Sequence, residues 1–199
     1  MEVTLIRLLY RLADKPVIAA LRDLSQLEAA LVSGVDICFF MGGSIIEMKD
    51  AVARARSENI SSFIHIDLVK GLSRSDKEAV DFVAGYIGAD GIITPKAHLI
   101  QEAKRNGIFA ILHVFIIDSL AVRNAMRMVE SVQPDAIEIM PGLIPKTIAG
   151  FADAFQQIPV IASGLVETPS EAKQCLDAGA MGISTSQRGL WGLTYDQLS

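Results

Sequence analysis

The residues best suited to chemistry stand near the C-terminal end, in Pro159-Val-Ile-Ala-Ser163-Gly164, then Thr168-Pro-Ser-Glu171, then Gly179-Ala-Met-Gly-Ile-Ser184-Thr185-Ser186. The pattern reads as strand, glycine turn, capped helix, second strand and a loop of small hydroxyl residues. Glycine lets backbone amides approach an anion closely, and amides at a helix start point their donors at it, so Ser163, Gly164 and Leu165 with Ser184, Thr185 and Ser186 suit a phosphoester. The alternative is that small residues merely fit tight turns. Gly42-Gly43-Ser44 also lies between an apolar run and a helical one, as a rival anion site or a plain strand-to-helix turn. It lacks the GxGxxG spacing of a dinucleotide fingerprint.

Charged residues stand at or near the ends of other apolar runs: Arg22, Asp67, Lys70, Lys96 and Glu138. Asp67 and Lys70 can take a hydroxyl and a phosphate, or pair with each other. Glu138 alternates with Ile137 and Ile139 and so faces away from them, and a lone inward carboxylate is costly unless paired or used. Lys96 follows Pro95 at a helix start, where the macrodipole disfavours a cation, or it is simply solvated. A lysine, an aspartate and a glutamate around a phosphate can run enolisation or aldol chemistry, so a phosphosugar isomerase or aldolase using Lys96 or Glu138 is one reading. His65, His98 and His113 show no metal-ligand spacing and read as core or rim histidines. Cys38 and Cys175 fit neither a metal set nor a disulfide framework, so no metal and no cofactor is expected.

A scaffold that gathers strand ends is needed to bring such scattered groups together. Short apolar runs at Pro16–Leu21, Ile37–Met41, Phe63–Ile66, Gly91–Thr94, Ile108–Phe115, Ala136–Met140, Val160–Ser163 and Met181–Ser184 alternate with helical periodicity. Near-continuous apolar strands fit a parallel sheet covered on both faces. Ser25-x-x-Glu28, Ser44-x-x-Glu47, Ser75-x-x-Glu78 and Thr168-x-x-Glu171 read as capping boxes, the last with Pro169 at the first helical position. Pro16-Val-Ile-Ala echoes Pro159-Val-Ile-Ala, and Gly88-Ala-Asp-Gly-Ile-Ile-Thr94 echoes Gly179-Ala-Met-Gly-Ile-Ser-Thr185. Repeated like units favour a closed barrel over an open doubly wound sheet. The expectation is a single α/β domain, a TIM-type (β/α)8 barrel over residues 16–190. An amphipathic N-terminal helix over 1–15 precedes it, and a tail over 191–199 is too short for a full last helix.

With 199 residues, 51% of them hydrophobic, the chain can bury one large core. The net charge of −5 argues against a general polyanion-binding surface and leaves only a local basic patch for any RNA. Candidates are Arg123 with Arg127, one helical turn apart, Lys104 with Arg105, and Arg54 with Arg56, each otherwise a solvated helix face. Met126 and Met128 beside the first pair can serve a homodimer interface. No run approaches the roughly 20 apolar residues of a membrane span, and no signal-type segment opens the chain, so a cytoplasmic protein without membrane contact is expected.

The ordered set Pro16-Val-Ile-Ala-Ala-Leu-Arg22, His65-Ile-Asp67-Leu-Val-Lys70-Gly71-Leu72, Gly91-Ile-Ile-Thr94, Glu138-Ile-Met-Pro141-Gly142, Pro159-Val-Ile-Ala-Ser-Gly164-Leu165 and Ser184-Thr-Ser186 with Leu190-Trp191 resembles the glycerol uptake operon antiterminator regulatory family. The resemblance spans nearly the whole chain after the first helix. It implies a non-catalytic barrel that senses glycerol 3-phosphate and acts on leader mRNA to let transcription pass a terminator of glycerol-utilisation genes. Carried onto matching positions, it implies that Asp67, Lys70 and Glu138 line the polyol end of the ligand, and that Ser163, Gly164 and the Ser184 to Ser186 loop hold the phosphate. The turn after the seventh strand has Ser163-Gly164 where paired glycines are common at such phosphate sites.

Overall fold

Eight parallel strands close into one barrel in sequential order: β1 (Val17–Leu21), β2 (Ile37–Phe40), β3 (Ser61–His65), β4 (Gly91–Thr94), β5 (Phe109–Phe115), β6 (Ala136–Met140), β7 (Val160–Ser163) and β8 (Gly182–Thr185), with β8 returning to pair with β1. The computed structural model describes residues 2–198, with side chains from Leu8 onward. Met1, Ser199 and the side chains of residues 2–7, including Leu5 and Ile6 on the expected apolar face of the first helix, lie outside that description. Helices α1 (Glu2–Asp14), α2 (Leu27–Ser33), α3 (Ile45–Ser57), α4 (Lys77–Phe82), α5 (Ala97–Arg105), α6 (Ser119–Val132), α7 (Pro145–Ala154) and α8 (Pro169–Asp177) precede or follow the strands, and α9 (Tyr195–Leu198) is a single turn. This is the (β/α)8 barrel that the alternating apolar runs imply.

Strand parity sorts the two faces. Ile18, Ile37, Phe39, Phe63, Ile93, Phe109, Ile111, Ala136 and Ile161 fill the barrel interior with Leu8 and Leu12 of α1. The residues between them face the helices and form the larger cluster. Phe39, Phe63 and Phe109 meet edge to face at 5.6 Å between successive ring centroids. Gly91 makes room for this layer, because a Cβ there would sit 2.4 Å from the Phe109 carbonyl oxygen and 2.8 Å from Phe63 Cδ1. α1 closes the N-terminal end of the barrel. Arg11 holds it there, donating to the Asp36 carbonyl at 2.7 Å, to Ser61 Oγ at 2.9 Å and to the Asn59 carbonyl at 2.7 Å.

Two of the four expected capping boxes form. Ser44 and Glu47 open α3, and Thr168 and Glu171 open α8 with Pro169 at its first position. Before α2, Asp23 and Gln26 make the box instead of Ser25 and Glu28, because the chain enters through a 3-10 turn and Asp23 accepts the Ser25 amide at 2.8 Å. Before α4 the N-cap is Asp76, one residue beyond Ser75, whose carbonyl accepts from His98 Nε2 at 2.9 Å. Here a tertiary contact displaces a local preference.

Candidate functional site

At the C-terminal mouth of the barrel, a cavity of about 120 Å³ is lined by Arg22, Met41, Met140, Ser163, Gly164, Leu165, Ser184, Thr185 and Ser186, among others. β7 delivers Ser163 and β8 delivers Ser184, both facing inward and both buried. The Ser184 hydroxyl has no hydrogen-bond partner among the described residues. A buried polar group without a partner marks strain, a bound molecule or a role in chemistry. Gly164 has φ +77°, and a Cβ there would lie 3.3 Å from Met140 Cγ. Leu165 follows with φ +63° and an exposed side chain, a backbone conformation that costs a non-glycine residue about 1 kcal/mol. Thr185 is committed elsewhere, donating to the Val166 carbonyl at 2.8 Å and accepting the Gln187 amide at 3.1 Å. The buried Trp191 indole donates to the Thr185 carbonyl at 2.9 Å, so the tail pins the β8 loop.

The charged candidates fall into three places. Arg22, at the end of β1, borders both the small cavity and a wider neighbouring one that Lys70, Gly42, Gly43 and Ser44 also line. Asp67 does not pair with Lys70, although adjacency in sequence allows it. Its carboxylate takes Lys96 Nζ at 2.6 Å and the Thr94 hydroxyl at 2.8 Å, across the β3 to β4 gap. Lys96 Nζ also donates to the Arg74 carbonyl. The glycines after β2 have a packing reason, since a Cβ on Gly42 would lie 2.3 Å from the Arg22 carbonyl oxygen and one on Gly43 would lie 2.7 Å from Leu24 Cδ1. This is the plain-turn reading of that segment.

Glu138 forms the third place. It is fully buried inside the barrel, with its Oε2 2.7 Å from His113 Nδ1 and 3.4 Å from His65 Nε2. Burial pushes its carboxyl up, yet the two histidines outweigh that effect and hold it well below the ordinary carboxylate range. The histidines read singly as core residues in the sequence, but strand parity joins them. His65, His113 and Glu138 each stand two residues beyond an interior residue, Phe63, Ile111 and Ala136, and so lie one layer above the apolar floor.

On the outer face, Arg123 and Arg127 are exposed on α6, and Arg127 Nη2 donates to Asn124 Oδ1 at 2.6 Å. Arg123 borders a groove with Ile116, Ile117, Met126, Ile144 and Lys146. Lys146 escaped the sequence reading because it is a lone lysine beside a proline, and only the fold sets it on the same groove as Arg123. Lys104 and Arg105 are held locally, by the Gln133 carbonyl at 2.5 Å and by Glu102 at 3.1 Å. Arg54 is tied into Glu28 and Glu58, and Arg56 donates to the Gly88 carbonyl. No helix among the described residues is long and apolar enough to cross a membrane.

The model of the family described as glycerol-3-phosphate responsive antiterminator matches residues 17–191. The chain belongs to that family. It is 34% identical over 186 residues to the uncharacterized Escherichia coli K12 protein YgcP, covering 94% of this chain and 96% of that one. The crystal structure of a glycerol uptake operon antiterminator regulatory protein from Listeria monocytogenes superposes with a TM-score of 0.84 at 33% identity, over 89% of this chain and 95% of the other. A glycerol uptake operon antiterminator-related protein from Thermotoga maritima gives a TM-score of 0.79 at 35% identity, over 90% and 99%. An aldolase, QR15, shares the fold at a TM-score of 0.70 and 16% identity, over 90% and 93%. Family membership and the aldolase-like barrel therefore coexist, and the chemistry has to be argued from the site.

Proposed function

We propose that this chain is a cytoplasmic, non-catalytic sensor of glycerol 3-phosphate that acts on the leader mRNA of glycerol-utilisation genes to carry transcription past a terminator. The observation that carries the ligand reading is the unpartnered buried hydroxyl of Ser184 lining a small cavity beside Ser163, Gly164 and Ser186, with the exposed Arg22 at its edge. A phosphate there takes hydroxyl and amide donors from the β7 and β8 loops and charge from Arg22, while the polyol end is directed toward Glu138 and the rim charges Asp67, Lys70 and Lys96. Arg123, Arg127 and Lys146 form the RNA-contacting face in this reading, with the apolar groove beside them available to a second copy of the chain.

The rival reading, a phosphosugar aldolase, makes Lys96 a nucleophile. An amine engaged by both Asp67 and the Arg74 carbonyl is occupied as a donor, the opposite of the unpaired, desolvated amine that such chemistry uses. Calorimetric titration with glycerol 3-phosphate, with and without leader RNA at one fixed salt concentration, tests the proposal. Each partner is expected to tighten binding of the other by the same factor. Gly164→Ala should weaken glycerol 3-phosphate at least tenfold, and the double variant Arg123→Glu, Arg127→Glu should keep the small ligand while losing RNA. Absence of glycerol 3-phosphate binding in both conditions overturns the sensor reading.

A further inference from the structure

Among the described residues one group of metal-capable side chains converges, His65, His113 and Glu138, whose donor atoms all lie within 4.8 Å of one another. They come from β3, β5 and β6, and His113 and Glu138 are register partners on adjacent strands. Two buried donors are incompletely used. Glu138 Oε1 and His65 Nε2 have no hydrogen-bond partner among the described residues, and the 3.4 Å approach of His65 to Glu138 lacks hydrogen-bond geometry. A fully buried carboxylate requires a compensating positive charge, and neutral imidazoles do not supply one.

We propose that His65, His113 and Glu138 form a binding site for a divalent transition-metal ion, zinc in the first instance, at the level just above the apolar floor of the barrel. Two imidazole nitrogens with one carboxylate oxygen are a donor set that zinc takes in three-ligand sites with a fourth position left open. Donors about 2.1 Å from a tetrahedral zinc ion stand ~3.4 Å from one another. The 3.4 Å contact to Glu138 Oε2 matches that spacing, the 2.7 Å contact is shorter, and the remaining pair lies within 4.8 Å, so side-chain adjustments complete the set. His113 is the one member that is not fully buried, its side chain 18% exposed, so entry and the open position belong on its side. The rival source of positive charge is a proton shared with a histidine, and the experiment separates the two.

The inference shares Glu138 with the glycerol 3-phosphate reading, and the two fail separately because metal binding is measured on the full chain without that ligand. Chelator-stripped protein is titrated with Co(II), followed by its visible absorption, and with Zn(II) by calorimetry. One equivalent per chain is expected, with at least tenfold weaker binding in Glu138→Gln and His113→Gln and no change in His98→Ala. In the wild-type chain, nitrogen-15 spectra of the imidazoles should shift on Zn(II) addition at His65 and His113 and not at His98, a readout that needs no folded variant. The proton reading wins, and the metal site falls, if the wild-type chain shows no saturable binding of either ion, if Glu138→Gln and His113→Gln bind unchanged, or if only His98 responds.

Discussion

Glu138 is where a single side chain has the widest consequences. Its inward carboxylate, fully buried beside aromatic interior residues, meets His65 at 3.4 Å and His113 at 2.7 Å. Its folded-state carboxyl is held below the ordinary value near 4.5, so its contribution to stability is complete above that value and disappears as pH falls below it, when the unfolded chain takes up the proton first. Urea midpoints should fall steeply between about pH 5 and pH 3 in the wild-type chain, and Glu138→Gln should remove about 2 kcal/mol of that change. Equal slopes in the two proteins would show that the carboxylate is not linked in this way. Gly164 is the other decisive position, since its positive φ strains any larger residue and a Cβ there would press on Met140 at 3.3 Å.

At the scale of single elements, the helix starts separate what is local from what is not. Ser44 with Glu47 and Thr168 with Glu171 form as their spacing implies, because both partners lie within one turn and no competitor intervenes. Thr168→Ala removes the acceptor of the Glu171 amide at the start of α8, the helix that follows the proposed phosphate loop, and should cost about 1 kcal/mol in a denaturant titration. At Ser25 the preceding Asp23 and Gln26 take the role, and at Ser75 a contact with His98 moves the start onward. The strands were legible for a different reason, since runs buried on both faces are apolar at nearly every position. Arg123, Arg127 and Lys104 read alike as exposed helical cations. Only the loops packed beneath them distinguish Arg123, which borders an apolar groove, from Lys104, which is spent on a helix C-terminal carbonyl.

At the scale of the whole molecule, α1 makes the barrel one-ended. Leu8 and Leu12 occupy the interior cluster from below, while the charged and hydroxyl residues gather at the opposite mouth. Leu12→Ala should destabilise the fold by about 3 kcal/mol, through the cavity left against Ile18 and Gly182, and leave the affinity for glycerol 3-phosphate unchanged. A loss of affinity as large as the loss of stability would mean that the two ends of the barrel communicate. What the amino-acid order settled without help was the alternation of apolar runs and helices, two helix caps, and the hydroxyl and glycine loops after β7 and β8, because each depends on neighbours within a few residues. The pairing of Asp67 with Lys96 rather than Lys70, the placing of Lys146 and Arg123 on one groove, and the meeting of His65 and His113 on Glu138 were decided only by tertiary structure. Barrel closure brings polar atoms of side chains 25 to 73 positions apart within 3.4 Å of one another, and no local periodicity encodes such distances.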